Sequence, residues 1–405
     1  MLILLVKKNT LLNLTILMIF LRSPIFIFLL GTYLISNKNM LIKFLLNVLP
    51  FLLLLSICVV YSIHMNNNVY FIAGQTRDIL LCLIVFLAFS IISHYKNNFN
   101  HIYFLFKILL IWLGLIKIFL ILGSILFGFF ISDVINFISD NTSLKLMTMG
   151  VDGGLSRLQL PIDSVLPFCI FFLLFEIFDK KTIRRKSLIL QLIILLCSLI
   201  LTFSRAFWLI TAIFMIIYFI FNHNFVQKIK YLFVSMFLIF ILLLISPVRE
   251  LIFIAIGARF GKDAKDLNYY SDLERHIQNN NLLEAFYNAP LLGNGIGYYI
   301  PNLIRSDETK YLYESQFLSM FMSLGIFFGG IFFLMIYFYI INFNSKFKND
   351  INFVHLYLIP TLMFVLWILL GSTNPLLFGA SGGIILFFCS SYSSIFLNSK
   401  SLNDV

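Results

Sequence analysis

The stretch LILQLIILLCSLILTFSRAFWLITAIFMIIYFIF, residues 188–221, decides the class of fold. It contains one charged residue, Arg205, in 34 positions. A helix formed by this stretch would be apolar on every side. A helix of about 20 apolar residues crosses the hydrocarbon core of a bilayer, so this stretch is long enough for two short spans. The polar break at Thr202–Arg205 predicts a tight turn at the membrane edge, between a span at 188–203 and another at 205–221.

The whole chain has the same apolar character. Of its 405 residues, 60% are hydrophobic and 12% are charged, and the mean hydropathy is +0.98. Soluble globular domains carry about 25% charged residues. The low charged fraction of this chain excludes a soluble enzyme, a nucleic-acid-binding protein and a disordered protein. The apolar runs are continuous rather than alternating, which argues against a transmembrane β-barrel. We therefore expect an all-α, polytopic membrane protein.

Eleven segments are predicted to cross the membrane, within a single transmembrane domain of residues 1–405. A break at Arg22–Pro24 would divide the first segment into a hairpin and give twelve. No small-residue cleavage site follows that first segment, so we expect it to be retained as an anchor. The predicted spans are 9–35, 44–64, 70–93, 103–131, 161–178, 188–203, 205–221, 231–247, 314–342, 352–371 and 376–397.

Basic residues in short loops predict the orientation of these spans. Residues 179–186 contain five Lys or Arg residues and one Asp, so this loop is expected in the cytoplasm. Lysines in the loops 36–43, 94–101, 222–230 and 343–350 agree with that orientation. The net charge of +11 is therefore explained by membrane topology, and we expect no nucleic-acid partner.

The longest connection, residues 248–313, is predicted to lie outside the cytoplasm. The spacing of Ser271–Glu274 matches a capping box and predicts the start of a helix, with an interruption at Asn279–Asn281 and an end before Pro290. Residues Gly293–Gly297 predict a flexible turn. We expect a structured loop that covers the outer membrane surface as a lid. Its helix would have an apolar face formed by Leu273, Ile277, Leu282, Leu283 and Phe286.

Several arginines fall on the predicted outer side, where short loops normally avoid cations. Guanidinium groups bind phosphate through paired hydrogen bonds, so a diphosphate lipid head group is the expected ligand at this depth. An isolated arginine such as Arg205 has a second interpretation, a snorkelling side chain that anchors a helix end. The outer arginines are Arg77, Arg157, Arg205, Arg259 and Arg275.

Four other side chains are candidates for substrate binding or catalysis. Lys117 lies within an apolar span, where a charge is costly and therefore indicates function, unless helix tilt brings its amine to water. Glu314 opens the span after the long loop. It is either a general base or sugar ligand, or an acid that stabilises the N-terminus of a helix. Gln316 follows it as a further sugar ligand. His276, beside Arg275, is either a competing base or part of the polar surface.

Motifs for nucleotide and metal binding are absent from the sequence. It has no Walker A motif, no G-x-G-x-x-G, no H-E-x-x-H and no carboxylate pattern typical of a metal site. Its five cysteines lie in apolar runs without C-x-x-C spacing. We therefore expect no cofactor and no metal, and a reaction that uses an already activated substrate.

Six motifs follow one another in a fixed order along residues 202–330. They are Thr202–Arg205 between two spans, Arg275 in the long loop, Ala-Pro-Leu-Leu-Gly-x-Gly-x-Gly at 289–297, Glu-Ser-Gln-Phe-Leu at 314–318, Ser-Leu-Gly-Ile at 323–326 and Gly329–Gly330. These motifs and their order resemble the O-antigen polymerase and O-antigen ligase superfamily of bacterial envelope glycosyltransferases. The resemblance covers about residues 150–335 and implies a membrane fold similar to that of GT-C glycosyltransferases.

The resemblance implies a multi-pass protein of the cell inner membrane with an active site facing the periplasm. Polymerases of the family move a growing glycan from undecaprenyl diphosphate to the non-reducing end of a new lipid-linked repeat unit, and ligases move it to lipid A–core. The family's Ser-Arg arginine corresponds to Arg205 and its loop arginine to Arg275. Glu314 replaces a histidine that ligases usually have, which favours a polymerase. Ala206 replaces the common glycine after Ser-Arg.

These observations lead to a hypothesis of direct, metal-independent glycosyl transfer with inversion at the anomeric carbon. Arg205, Arg275 and Arg157 would stabilise the diphosphate leaving group, and Glu314 or His276 would take the proton of the acceptor hydroxyl. The expected partners are undecaprenyl-diphosphate-linked oligosaccharides, membrane lipids and a chain-length regulator protein. The alternatives are an O-antigen ligase and, in another class, a flippase or transporter of lipid-linked oligosaccharides, although the chain lacks two related halves.

Overall fold

The computed structural model describes residues 8–96, 98–141, 158–178, 185–222, 264–304, 307–347 and 351–401. Within these ranges the chain is all-α, as its composition predicts. A 3₁₀ turn, Pro161–Val165, precedes α7, and a π-helical turn, Val354–Leu358, precedes α12. The α-helices are α1 (Lys8–Phe20), α2 (Ile25–Ile35), α3 (Lys38–His64), α4 (Val69–Lys96), α5 (Phe99–Phe127), α6 (Ile131–Asn141), α7 (Leu166–Phe178), α8 (Arg185–Leu201), α9 (Arg205–Asn222), α10 (Ala264–Asn288), α11 (Gln316–Ser345), α12 (Ile359–Thr373) and α13 (Gly379–Ser401).

Six helical segments in the described ranges are long and apolar enough to cross a membrane. Each coincides with a predicted span. Helices α8, α9 and α13 occupy three further predicted positions, and the predicted span 231–247 lies outside the described residues. The six segments are Lys38–His64, Val69–Tyr95, Phe99–Ser124, Pro161–Phe178, Gln316–Ser345 and Val354–Thr373.

The first predicted span, residues 9–35, is a pair of short helices that contact each other, α1 and α2. The chain reverses at Arg22, whose φ of +52° is in the left-handed region that ends a helix. Pro24 follows and directly precedes α2. The break predicted at Arg22–Pro24 is therefore confirmed. Each helix alone is shorter than the roughly 17 residues that a membrane-crossing helix needs.

The chain divides into two compact units, Met1–Leu109 with Arg275–Val405, and Leu110–Glu274. In the first unit, α4 and α13 pack closely. Gly383 makes this possible, because a Cβ at that position would overlap the carbonyl oxygen of Cys82. The hydroxyls of Ser90 and Ser390 lie 2.6 Å apart across the same pair of helices. Small residues and interhelical hydrogen bonds are typical of helix contacts in membranes.

In the second unit, α7 is the buried helix, in contact with both α8 and α9. Phe171 stacks on Phe214 with ring centroids 4.7 Å apart, and Phe168 meets the same ring edge-on at 4.9 Å. All three side chains are buried. Aromatic pairs in these geometries stabilise beyond the area that they bury, so some of the chain's 48 Phe residues form this interior.

Helix α11 is interrupted at Gly325, which has a φ of +64° and a ψ of −175°. The interruption breaks the helical hydrogen bonds around Gly325. The backbone of the loop 290–295 forms hydrogen bonds with the freed groups instead. Backbone groups freed at membrane depth must find partners inside the protein, and this pairing supplies them. Four N–H groups donate across it: Asn294 to the Met322 carbonyl at 2.9 Å, Gly295 to Ser323 at 2.9 Å, Ile326 to Pro290 at 2.9 Å and Phe327 to Leu291 at 3.1 Å.

The turn Gly293–Gly297 is firmly held, so the prediction of a flexible turn is wrong. Its three glycines have φ between +75° and +87° and are buried. The Ile296 N–H donates to the hydroxyl of Ser62 on α3 at 2.6 Å, and the Gly297 N–H donates to the amide oxygen of Gln75 on α4 at 2.6 Å. Glycine serves here because it allows a left-handed backbone and close contact with neighbouring helices.

Replacing Gly325 by alanine is expected to destabilise the protein. The new Cβ would overlap the Leu291 carbonyl oxygen, and alanine is strained at this φ and ψ, a conformation that costs about 1–3 kcal/mol. Gly330 in the same helix is the matched control, because nothing lies within 4 Å of a Cβ there. Thermal unfolding of the purified protein in detergent should show a lower Tm for Gly325→Ala alone. Equal Tm values for both variants would contradict the pairing.

Candidate active site

Helix α10 carries two predicted catalytic residues, Arg275 and His276. It begins at Ala264, ahead of the predicted start at Ser271, and continues through Asn279–Asn281 without interruption. The predictions of a capping box and of a break at the asparagines are therefore wrong, because the helix is already formed on both sides. The helix ends at Asn288, before Pro290, as predicted.

The buried face of α10 agrees with the predicted one in its second half, where Leu282 and Phe286 pack as expected, and differs in its first half. Leu273 and Ile277 are exposed, whereas Gln278, Leu282 and Ala285 are buried at the spacing of one helix face. Leu282 and Ala285 form an apolar cluster with Tyr313 and Met322, and Phe286, Tyr298, Ile300, Leu303 and Leu318 pack against it. This cluster fixes α10 against the segment that leads into α11.

Arg275 and Glu314 form an ion pair in the first unit, between guanidinium Nε and carboxylate Oε2. Their side chains are 35% and 21% exposed, so the pair is partly shielded from water and still reachable. The backbone N–H of Glu314 donates to the amide oxygen of Gln278 at 2.9 Å. One face of α10 therefore holds Glu314 at its carboxylate and at its backbone. The structure brings Arg275 and Glu314 together; Gln278 was not predicted.

Gln316, a predicted sugar ligand, opens α11 as a buried residue. Its amide oxygen accepts hydrogen bonds from the backbone N–H of Leu377 at 2.6 Å and of Phe378 at 3.4 Å. It thus ties the start of α11 to the connection between α12 and α13. This contact fixes the chain on the other side of Glu314. A role of Gln316 in sugar binding stays a prediction.

His276, the competing candidate base, is exposed on α10. Its Nε2 lies 3.1 Å from the amide nitrogen of Asn280, one turn further along the same helix. This local contact fits the polar-surface interpretation of the residue. His276 therefore lacks the support from other segments that Glu314 receives.

Arg77 lies near the start of α4, beside Asp78. Its Nε and Nη2 donate to one oxygen of Asp78 at 3.1 and 3.0 Å, and the hydroxyl of Tyr311 donates to the other at 3.0 Å. Burial, followed by the negative charge of Asp78, raises the pKa of Tyr311, so its hydroxyl remains a donor at neutral pH. This group links α4 to the segment that carries Glu314. Neither Asp78 nor Tyr311 was predicted from the sequence.

Arg205 is the first residue of α9, in the second unit. The turn before it is tight, as predicted, with Phe203 at a φ of +49°. The Arg205 guanidinium bonds both carboxylate oxygens of Asp272, at 2.8 and 3.5 Å. The side chains of Arg205 and Asp272 are 36% and 53% exposed, so water reaches both. Arg205 therefore has an acidic partner on α10, which an isolated snorkelling arginine would lack.

Lys117 is buried in the second unit, where its ammonium lies 2.7 Å from a carboxylate oxygen of Asp163. Only 4% of the Lys117 side chain and none of Asp163 is exposed. The other oxygen of Asp163 accepts the backbone N–H of Leu160 at 2.7 Å. The amine therefore meets a carboxylate inside the protein and does not reach water by helix tilt. Asp163 was not predicted, although it starts the span opposite Lys117.

Breaking this ion pair on one side is expected to destabilise the protein strongly. Lys117→Met leaves the Asp163 charge buried without its partner, a change that typically costs about 3–5 kcal/mol. Lys117→Met with Asp163→Asn removes both charges and keeps an oxygen for the Leu160 N–H, so it should regain most of the stability. Thermal unfolding in detergent measures both variants. A Lys117→Met protein as stable as the wild type would contradict the structural role.

Two predicted substrate-binding residues, Arg157 and Arg259, lie outside the described residues. Within the part of the chain that the structure describes, no group of three or more His, Cys, Asp or Glu side chains is arranged to hold a metal ion. The first unit therefore holds one candidate catalytic ion pair, Arg275 with Glu314, and the second unit holds another, Arg205 with Asp272.

Comparison with known proteins connects these residues to one family. Residues 190–334 match a family model described as O-antigen ligase. The matched range runs from α8 into α11 and contains both ion pairs and the glycine turn. Searches among curated proteins and among solved structures gave no match.

Proposed function

Because residues 190–334 make this chain a member of the O-antigen polymerase and ligase family, we propose that it polymerises undecaprenyl-diphosphate-linked oligosaccharides. The growing glycan would move from its lipid carrier to the non-reducing end of a new lipid-linked unit. The proposed location is the cell inner membrane, with the reaction at the periplasmic face. The Arg275–Glu314 ion pair is the observation that carries this proposal.

The proposed step is a direct displacement. The acceptor hydroxyl oxygen bonds to the anomeric carbon of the donor sugar, and the bond from that carbon to the diphosphate oxygen breaks. The lipid diphosphate leaves with the electron pair, and the hydroxyl proton passes to a carboxylate. Attack opposite the leaving group inverts the anomeric centre. Cleavage of the bond between the sugar and the diphosphate supplies the driving force, so the step needs no nucleotide.

We assign the proton acceptor to Glu314 rather than to His276. A general base must be held within hydrogen-bond reach of the proton that it removes. Glu314 is held by Arg275 at its carboxylate and by Gln278 at its backbone, whereas His276 contacts an asparagine of its own helix. The fixed carboxylate is therefore the better candidate.

We assign the arginines to anionic parts of the lipid-linked substrates. A guanidinium carries five N–H donors in a planar fork that suits phosphate oxygens. Arg275 would stabilise the charge that develops on the leaving diphosphate. Arg205 would also bind a phosphate group of a lipid-linked substrate, and Asp272 would orient the Arg205 guanidinium. Lipids and a chain-length regulator protein remain proposed partners.

A ligase is the second candidate, because the matched family model is described by that activity. A ligase would transfer the glycan to lipid A–core. The presence of Glu314, where ligases usually have a histidine, favours the polymerase.

A gel of lipopolysaccharide from a strain that lacks this protein distinguishes the candidates. Core carrying a single repeat unit means that polymerisation is lost, which is the expected result. Bare core with accumulated lipid-linked polymer would mean that the ligase is lost. Bare core without that polymer would point to flipping or an earlier step and would contradict both transferase assignments. Expression of the wild-type chain in the same strain should restore the long glycans.

A further inference from the structure

We infer that Gln278 is a positioning residue, which holds Glu314 in register with Arg275 through the polypeptide backbone. This inference rests on the proposed function, because Glu314 is the assigned proton acceptor. Gln278 is 6% exposed, and its amide oxygen accepts the Glu314 N–H at 2.9 Å. It contacts the backbone rather than the reacting carboxylate, so its role differs from that of a catalytic residue.

The geometry explains how one amide sets the position of a carboxylate. A glutamate side chain turns about its own backbone, so a single contact at the carboxylate leaves several arrangements open. Arg275 fixes the carboxylate end, and Gln278 fixes the backbone end. The two residues are three positions apart on α10, a spacing that places side chains on neighbouring parts of one helix face. One rigid element therefore determines both contacts.

The helix that carries Gln278 is itself held in place. Leu282, one turn further along the buried face of α10, is fully buried with Tyr313 and Met322. The Tyr313 hydroxyl accepts the backbone N–H of Ile300 at 2.8 Å. Tyr313 directly precedes Glu314, so the apolar cluster and the Gln278 hydrogen bond act on adjacent residues. Loss of the hydrogen bond would release Glu314 while the cluster keeps the fold.

Two nearly isosteric substitutions separate the hydrogen bond from the volume of the side chain. Gln278→Met removes the acceptor oxygen and keeps the size, and Gln278→Glu keeps an oxygen at that position. Asn281→Met is the matched control, because the Asn281 amide bonds only locally, to the Ile277 carbonyl at 2.8 Å. All variants are full-length proteins in liposomes, supplied with undecaprenyl-diphosphate-linked repeat units.

Gln278→Met should lower kcat about tenfold to a hundredfold with KM changed less than about threefold, because misplacement by 1 Å reduces the rate rather than binding. Gln278→Glu should rescue kcat to within about fivefold of the wild type, and Asn281→Met should match the wild type. Hydrogen exchange of a peptide covering residues 311–318 gives a second readout. The Glu314 amide should exchange faster in Gln278→Met than in the other proteins.

The inference is overturned if Gln278→Met keeps the wild-type kcat, or if Gln278→Glu is as slow as Gln278→Met. Unchanged exchange of the Glu314 amide would overturn it as well. If Gln278→Met does not fold, Gln278→Asn carries the same expectation, since its amide is one methylene shorter. Failure of the proposed function has a different signature, because the wild type itself would then transfer no glycan while the exchange difference persists.

Discussion

Replacing Arg275 by alanine is expected to reduce glycan transfer about 10²–10³-fold, the loss seen when one group that stabilises developing charge is removed. Replacing Glu314 by glutamine, which cannot take a proton, should reduce it about 10²–10⁴-fold. When residues act as one unit, the effects of their substitutions on the rate are strongly non-additive. The double variant should therefore be little slower than the slower single variant. Transfer is measured with the purified protein in liposomes.

Arg185 provides a matched control for Arg275. It begins α8, and its Nε donates to the carbonyl of Ile177 at 3.0 Å. Arg185→Ala removes the same charge and side chain at the end of α8 opposite the Thr202–Arg205 turn, outside the range that matches the family model, so its transfer rate should equal that of the wild type. Full additivity of Arg275→Ala and Glu314→Gln would contradict a joint role, and wild-type rates in either variant would remove that residue from the mechanism.

Replacing Arg205 by alanine is expected to abolish polymerisation while the protein still inserts and folds. An exposed ion pair contributes about 0–1 kcal/mol to stability, and the Arg205–Asp272 pair is exposed on both sides. The loss of activity should therefore have a chemical origin, the missing cation beside an anionic substrate. The measurements are the glycan length distribution in a complemented deletion strain and the amount of protein in the membrane fraction.

Asp272→Ala tests whether Arg205 acts on the substrate or only holds its ion pair. The variant breaks the same pair and leaves the guanidinium in place. We expect it to retain polymers, shorter or fewer than those of the wild type. If Asp272→Ala and Arg205→Ala have equal effects, the ion pair itself is what matters. Wild-type chain lengths in Arg205→Ala would refute the assignment of this arginine.

The positions of most spans were predictable because a long apolar segment has few stable forms in a membrane other than a helix. In residues 9–35, hydropathy alone does not locate the break between two helices. Their composition fits one long span, but a left-handed Arg22 followed by Pro24 produces two short helices. The local turn signal, rather than the hydropathy, contained the correct information.

The face of α10 is predicted correctly at Leu282 and Phe286 and wrongly at its first two positions, for a definable reason. Apolar periodicity places Leu273 and Ile277 on the buried side, and it gives no signal for an uncharged amide such as Gln278. Gln278 is buried because the backbone N–H of Glu314 satisfies its oxygen, and buried polar groups depend on such partners. That partner is distant in the sequence, so periodicity alone cannot find it.

The charged residues of the candidate site were visible in the sequence, but their partners were not. A charge inside a span identifies Lys117, whereas no pattern in the sequence identifies its partner Asp163. The same holds for Arg205 and Asp272. Arg275 and Glu314 were both predicted, and the structure adds that they contact each other. Composition and motif order thus indicate the residues, and tertiary contacts determine how they pair.

The most direct measurement is transfer by the purified protein in liposomes that contain undecaprenyl-diphosphate-linked repeat units and a metal chelator. We predict a ladder of longer glycans on the same lipid carrier, with inverted configuration at each new linkage, and no ladder with Glu314→Gln. A wild-type protein that folds and forms no ladder, or one that forms it only when lipid A–core is the acceptor, would contradict the proposed polymerase.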